Sequence, residues 1–462
     1  MSSVNYNSIF EKLKANKLNI KKTSASQRVA KLIALKKAIK KHENAICEAL
    51  YKDLRKSKDE ALLTEILPTL SEINFTTKRL SGWMMSQKVS SHFPNLTGSN
   101  AIYYEPKGMC LLIAPWNYPF QLVMSPLVGA IAAGNTCVVK PSELSENTAK
   151  IIDLIIKEVF LENEIVVVNG GVEVSQALLD LPFNHIFYTG STTVGKIVME
   201  KAAKNLASIT LELGGKSPVI IDKGVNIKNA AHKIMWAKLL NTGQTCIAPD
   251  YAFVHKDDAE NFINECINAI NKQYPEIENN SNYGKIINSK HFERLSKWLS
   301  EAVAAGAKIN YSKNNNAENN LFYPVIISEV SAKTNLSCEE IFGPILPIKT
   351  YSEIDEVIEY INERENPLAL YLFSNSLKTK NKIITETNSG GVCVNDLLLH
   401  IANPNLPFGG SNHSGLGNYH GWFSFRAFSN EKAVFKQSKI NFTSLIFPPY
   451  KSGIINFLKR FF

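Results

Sequence analysis

Two short segments carry a thiol and a carboxylate in surroundings where either could do chemistry. In Asn241-Thr242-Gly243-Gln244-Thr245-Cys246-Ile247-Ala248 a cysteine is set among glycine and threonine. A helix-length gap earlier, Leu211-Glu212-Leu213-Gly214-Gly215-Lys216-Ser217-Pro218 places a glutamate after the apolar β-type run Ile209-Thr210-Leu211. A thiolate adds readily to an electrophilic carbonyl, but its pKa must be lowered by local dipoles or cations to be useful at neutral pH. A carboxylate in so apolar a stretch is costly to bury charged, so Glu212 should have a raised pKa or a dedicated partner. The two glycines after it let backbone and ligand approach closely. Together the segments read as nucleophile plus base. Each has a plainer reading: a lone cysteine is more often a buried small hydrophobe, and Glu212 also fits a surface position on an edge strand.

Other segments add to the pair. Asn117, in Ala114-Pro115-Trp116-Asn117-Tyr118-Pro119-Phe120, follows an expected strand and precedes a helix N-terminus, where an amide donor can hold an oxyanion. A turn asparagine fits the same residues. The cleanest phosphate-type loop is Thr189-Gly190-Ser191-Thr192-Thr193-Val194-Gly195-Lys196, between a strand and a helix. Gly190 and Gly195 lack the G-x-G-x-x-G spacing of ordinary dinucleotide sites, so an ordinary helix N-cap suits it equally.

The segments around Cys246 and Glu212 resemble, residue for residue, the two signature motifs of the aldehyde dehydrogenase superfamily. The string Gly243-Gln244-Thr245-Cys246-Ile247-Ala248-Pro249-Asp250-Tyr251 resembles its class 3 branch, which includes fatty, aromatic and coniferyl aldehyde dehydrogenases. Five motifs stand in family order between residues 114 and 344, and similar sequence continues through Phe408-Gly409-Gly410 and Tyr419-His420-Gly421. The resemblance implies Cys246 as nucleophile, Glu212 as general base, and Asn117 as oxyanion amide with the Cys246 N–H as second donor. It implies that Gly190, Ser191 and Gly195 form the family's variant phosphate loop, and that Lys140 and Glu143 face the adenosine ribose. In Glu339-Glu340-Ile341-Phe342-Gly343-Pro344, Glu340 would bind the nicotinamide ribose and Phe342 would pack against the cofactor. The implied activity is NAD(P)-dependent oxidation of an aldehyde to a carboxylic acid through a thiohemiacetal and an acyl-thioester, with NAD as cofactor and NADP also accepted. Two rivals are a relative that passes the acyl group to coenzyme A and a silent protein on the same fold. Glu212 counts against the first, because transfer to a thiol needs no water-activating base. Intact Asn117, Cys246, Glu212 and Glu340 count against the second.

These residues need a scaffold. At 462 residues, with 45% hydrophobic and 20% charged content, the chain suits two or three soluble lobes. From residue 108 apolar runs at Cys110–Ala114, Thr136–Val139, Ile165–Val168 and His185–Tyr188 alternate with helical stretches near 120–133, 145–160 and 172–180. That alternation predicts a parallel sheet wrapped by helices. The expected fold class is α/β: a Rossmann-like cofactor domain (1–81 and 108–209), an α/β catalytic domain (210–391), and a small β oligomerisation arm (82–107 and 392–441), as in the aldehyde dehydrogenase fold. Residues 442–462 form a tail. Before residue 81 the pattern predicts three helices, Ile9–Asn16, Ser26–Tyr51 and Asp59–Leu80. The turn-rich His92–Asn100 precedes alternating Ala101–Glu105, an extended arm or hairpin.

The net charge of +9 comes largely from lysine, dense between Lys12 and Lys41. No aromatic lies between Phe10 and Tyr51, so this reads as a solvated helix face and not as a nucleic-acid site. Seven scattered cysteines without a C-x-x-C pair fit reduced thiols, six of them buried, and neither they nor the nine histidines have metal-ligand spacing. With no signal-like apolar region near Met1 and no run long enough to span a bilayer, the expected location is cytoplasmic. The resemblance implies a homodimer. The tail sets Ile454, Ile455, Leu458, Phe461 and Phe462 on one helical stripe beside Lys451, Lys459 and Arg460. Such a stripe either packs against the protein or its partner, or lies in a membrane interface as a peripheral contact.

Overall fold

The computed structural model describes residues 5–92, 97–441 and 443–460. Residues 93–96 of the expected hairpin turn, and Phe461 and Phe462 of the tail stripe, lie outside these. Among the described residues the strands form three sheets.

The first sheet runs Gly415–Leu416, Ser208–Glu212, His185–Thr189, Met109–Ile113, Thr136–Lys140, Ile165–Val167. All its pairs are parallel except Gly415–Leu416, which lies antiparallel against Ser208–Glu212. Its central strands are fully buried Met-Cys-Leu-Leu-Ile, Thr-Cys-Val-Val-Lys and His-Ile-Phe-Tyr-Thr, as expected of strands covered on both faces. From Met109–Ile113 the chain first adds strands on one side, then returns to add His185–Thr189 on the other. The order therefore reverses beside Met109–Ile113, and the loops leaving it and His185–Thr189 open a crevice at their carboxyl ends. Asn117 is in one of those loops and Gly190 in the other.

The second sheet has seven strands in the order Lys308–Tyr311, Val325–Ser328, Ile345–Tyr351, Tyr251–His255, Pro218–Ile221, Ala369–Phe373, Gly391–Val394. Strand Ser208–Glu212 belongs to the first sheet, so the chain leaves that sheet only after Glu212. Gly391–Val394 pairs with Ala369–Phe373 in the second sheet, past residue 391. In the third sheet, Gln87–Val89 and Ser429–Gln437 flank Gly98–Pro106, all antiparallel.

The N-terminal helices depart from expectation in two places. The long second helix breaks at His42 into Ala25–Lys41 and Glu43–Leu54. The first half packs on helices Leu67–Trp83, Gln121–Ala133 and Glu146–Val159, and the second on helix Glu146–Val159. The third helix contains a π turn at Leu62–Ile66, just ahead of Pro68. Proline cannot donate the next i→i−4 bond, and a π turn is a usual way to absorb such a defect. It also leaves Glu65 fully buried.

The tail helix Ser452–Leu458 buries no residue and, with Leu445 and Tyr450, lines a recess of about 330 Å³. No helix among the described residues is long and apolar enough to cross a membrane.

Candidate active site

Cys246 follows helix Ile227–Leu239 in a loop whose residues Asn241, Thr242 and Gly243 all take left-handed φ angles of 52°, 56° and 75°. Two non-glycine residues in that region are strained, so the loop must be held from outside. Glu60 Oε1 accepts the Asn241 N–H at 2.7 Å. Asn241 Nδ2 donates to Asn117 O at 2.8 Å and Gln244 O at 3.1 Å. Gln244 is itself locked: its Nε2 donates to Asn241 O and Lys285 O, and its Oε1 accepts from Ile287 N, each at 3.0 Å. At Gly243 a Cβ would lie 2.3 Å from Gly343 O, so only glycine lets this loop meet the Glu339–Pro344 loop.

Asn117 is brought to the same place. Its Nδ2 donates to Gln244 O at 3.0 Å, and since an amide carries two hydrogens one donor is left for a ligand. Tyr118 next to it shares a 2.6 Å hydrogen bond with the hydroxyl of Thr245. Glu212 ends its strand opposite Thr189 on one side and Gly415 on the other. Its side chain is buried, and neither carboxyl oxygen has a hydrogen-bond partner among the described residues. Burial alone pushes its pKa well above the ordinary carboxylate range.

The Cys246 thiol departs from expectation. Its pKa is pushed up to about 12, first by burial, then by Glu340 and Glu212; the N–H groups of Cys246 and Ile247 point at the sulfur and oppose this only in part. No cation appears among these influences. A thiol held so high loses its proton only to a base, and Glu340 and Glu212 are the carboxyls whose charge acts on it. Of the other cysteines, Cys47, Cys110, Cys137, Cys266 and Cys393 are buried as expected, but Cys338 is exposed, at the end of the four-residue helix Asn335–Cys338.

The Glu340 carboxylate lies where a side chain on Gly214 would be, 2.0 Å from that missing Cβ. It accepts the Gly215 N–H, and its pKa is raised to about 8, mainly by burial and then by Asp250. The peptide after it is clamped, because Asp250 Oδ2 accepts Ile341 N at 2.8 Å and Arg294 donates to Ile341 O at 2.8 Å. Phe342, at φ 47°, meets Trp116 edge-on at 5.4 Å between ring centroids.

The candidate dinucleotide residues line the crevice of the first sheet. Ser191 caps the 13-residue helix Thr192–Lys204, which contains Gly195, and the first N–H groups of any helix favour phosphate. Gly190 has no room for a side chain, with Tyr188 Oη 2.2 Å from where Cβ would be. The Thr189 hydroxyl is buried and without a partner among the described residues. Buried Lys140 donates to Pro141 O at 2.9 Å and to half-exposed Glu143 at 3.1 Å, a cation–carboxylate pair able to exchange partners with ribose hydroxyls. Orphaned hydroxyl, bare backbone, helix terminus and ion pair fit a dinucleotide.

Sequence reasoning missed the groups that hold the two asparagines: Glu60, and the fully buried pair Lys56–Glu65, 2.6 Å apart. A usable signal existed at Glu65, a carboxylate between Leu62-Leu63 and Ile66-Leu67, the same pattern that drew attention to Glu212. Lys216 was visible inside a motif but not its role. It pairs with Asp250 and donates to Leu336 O at 3.0 Å and Glu339 O at 2.7 Å.

Residues 2–434 match the model of the aldehyde dehydrogenase family. The chain is similar to 4,4'-diaponeurosporen-aldehyde dehydrogenase of Staphylococcus aureus, 44% identical over 439 residues and covering 95% of each chain. It is 40% identical over 419 residues to the "dimeric NADP-preferring" aldehyde dehydrogenase of the dog, Canis lupus familiaris, covering 90% of this chain and 91% of that one. Its structure is similar to that of Staphylococcus aureus AldH in a substrate-bound state, with a TM-score of 0.95, 42% identity and 99% coverage of both chains.

The Gly243 contact yields a test. Gly243→Ala should lower turnover about 100-fold, the scale of a misplaced reactive group. Gly306 also has positive φ, 98°, but no atom within 4 Å of its missing Cβ. Gly306→Ala should therefore leave kcat near wild type. Equal kcat in both variants would show that the loop contact does not position the thiol.

Proposed function

Because the chain belongs to the aldehyde dehydrogenase family and so oxidises aldehydes with NAD(P), we propose that Cys246, Asn117 and Glu212 carry out that reaction as nucleophile, oxyanion donor and hydrolytic base. The observation that carries this reading is a thiol with an amide donor tied to its loop and a buried, partnerless carboxyl whose charge acts on it.

In the first half-reaction Cys246 Sγ gives up its proton to a nearby carboxyl in its ionised form, which releases that proton to solvent, and the sulfur bonds to the aldehyde carbon. The C=O electrons move onto oxygen, and that oxyanion is held by Asn117 Nδ2 and the Cys246 N–H. The residues that would hold the dinucleotide are Lys140, Glu143, Gly190, Ser191, Gly195, Glu340 and Phe342; when bound, it supplies the acceptor for the hydride leaving the aldehyde carbon. An acyl-thioester then remains on Cys246. Glu212 takes a proton from water as the water oxygen bonds to the acyl carbon, and the C–S bond breaks to return Cys246 and release the acid. One difficult oxidation is thereby divided into two easier steps.

Three finer readings accompany this. Glu143 would accept hydrogen bonds from a ribose 2′-hydroxyl and repel a 2′-phosphate, while Lys140 beside it offsets the repulsion, so NAD is preferred and NADP also used. A cytoplasmic homodimer joined through the three-stranded sheet is supported by the exposed edge strand Gln87–Val89 and by the dog relative's description as dimeric. Peripheral membrane contact is supported by exposed Ile440, Phe447, Ile455 and Phe457 among Lys439, Lys451, Lys459 and Arg460. The residues 1–81 with 108–209 are assigned to cofactor binding, 210–391 to catalysis, and 82–107 with 392–441 to oligomerisation.

Cys246→Ala should abolish oxidation while retaining NAD binding. Glu212→Gln should give one rapid burst of reduced cofactor per site followed by very slow turnover; a lost burst would move Glu212 to activating the thiol. Only ionised Glu212 can act as base, so wild-type turnover should rise with pH through its raised pKa, and Glu212→Gln should lose that limb. Added coenzyme A should not replace water as acyl acceptor. A higher kcat/KM with NADP than with NAD would overturn the cofactor preference. Finally, full-length protein should co-sediment with anionic vesicles more than a chain ending at Tyr450; equal, negligible binding would make the tail a packing element.

A further inference from the structure

The groups beneath Asn117 and Asn241 form a closed set. Lys56 Nζ and Glu65 Oε1 are 2.6 Å apart, with side chains 1% and 0% exposed. Glu65 Oε2 accepts the N–H groups of Phe120 at 3.0 Å and Gln121 at 2.9 Å, where helix Gln121–Ala133 begins. Lys56 Nζ also reaches Asn117 O at 3.4 Å and lies 4.1 Å from the centre of the Tyr118 ring. Tyr118 in turn holds Thr245, the residue before Cys246. Half-buried Glu60, one turn before the π turn, holds the strained Asn241 by its N–H, and Asn241 bonds back to Asn117 O.

A buried ion pair is a poor source of stability, because desolvating two charges offsets most of their attraction. Here the bonds of the pair beyond its own ion pair go to one turn of backbone, and Lys56 lies against the ring that reaches the thiol's neighbour. Both candidate oxyanion donors, Asn117 Nδ2 and the Cys246 N–H, are attached to it.

We propose that Lys56, Glu65 and Glu60 are positioning residues for the oxyanion site: the Lys56–Glu65 pair fixes the Asn117 turn and, through Tyr118 and Thr245, the approach to Cys246, while Glu60 fixes Asn241 against both. The inference rests on Asn117 being the oxyanion donor. The three residues touch no reacting atom. Their effect appears in the transition state, where a displaced donor loses most, and not in ground-state binding.

The test uses the full-length enzyme and a double-mutant cycle. Glu65→Gln keeps acceptor capacity for Phe120 and Gln121 but removes the charge that holds Lys56. It should lower kcat about tenfold or more while KM for aldehyde changes less than about threefold. NAD affinity, read by quenching of protein fluorescence, should be unchanged. Asn117→Ala should lower kcat by about 100-fold or more, and adding Glu65→Gln to it should cost clearly less than Glu65→Gln costs alone, leaving only the part that reaches Cys246 through Tyr118 and Thr245. Glu60→Gln, at the edge of the set, should show the same kcat-only loss and the same lack of additivity, and it answers the question if Glu65→Gln does not fold. Additive losses, or a change in KM or NAD affinity with kcat retained, would overturn the positioning role. Wild-type kcat in Asn117→Ala would instead overturn the oxyanion assignment itself.

Discussion

The short crossing at residues 213–217 constrains everything around the reactive thiol. Strand Ser208–Glu212 ends in one sheet and Pro218–Ile221 begins in the other, so the carboxyl from the first sheet is delivered directly to the loop of the second that carries Cys246. The passage is tight on both sides. A Cβ at Gly214 would meet the Glu340 carboxyl, and one at Gly215, where φ is +157°, would lie 3.2 Å from Leu368 N. Lys216 leaves the crossing to pair with Asp250 and to hold the carbonyls of Leu336 and Glu339. One stretch of backbone therefore sets the base, the approach to the thiol and the anchorage of the Glu340 loop.

Two buried glutamates near this crossing are treated in opposite ways. Glu65 is saturated by a lysine and two backbone N–H groups, so its charge is used as a fastening. Glu212 receives no hydrogen bond from the described residues. An unpaired buried carboxylate is expensive, and burial pushes the pKa of Glu212 well above the ordinary carboxylate range. A fastened carboxylate serves as an anchor, whereas a partnerless one is available to a bound molecule. The thiol is built on the second pattern, with burial and nearby carboxyls holding its proton until a base accepts it.

The end of the chain ties the lobes together. Gly415–Leu416 closes the edge of the first sheet beside Glu212, and Ser429–Gln437 pairs along all nine residues of Gly98–Pro106. Helix Gly421–Ala427 packs between them on helices Leu67–Trp83 and Gln121–Ala133. Gly421 N is held by Glu72, whose pKa burial raises to about 7. The segments assigned to an arm thus also brace the helix that follows Glu65 and the helix that follows the Asn117 turn.

The sequence by itself was enough for what is local or carried by motif. The apolar runs at Cys110, Thr136, Ile165 and His185 became strands within a residue or two, because continuous apolar residues at that length fit only a sheet buried on both faces. The segments around Asn117, Glu212 and Cys246 stood out because each sets a reactive side chain among glycine, proline or apolar residues. Tertiary structure decided the rest. The His42 break falls where the sequence has neither glycine nor proline, while the π turn has its local cause in Pro68. The raised pKa of Cys246 comes first from its burial and next from Glu340, 94 residues later and folded onto Gly214. The fastening of Asn117 and Asn241 by Lys56, Glu65 and Glu60 joins residues up to 181 positions apart. A buried charge is identified only by its partner, and the partner is a fact of the fold, since desolvation and ion pairing act through space and leave no period or spacing along the chain.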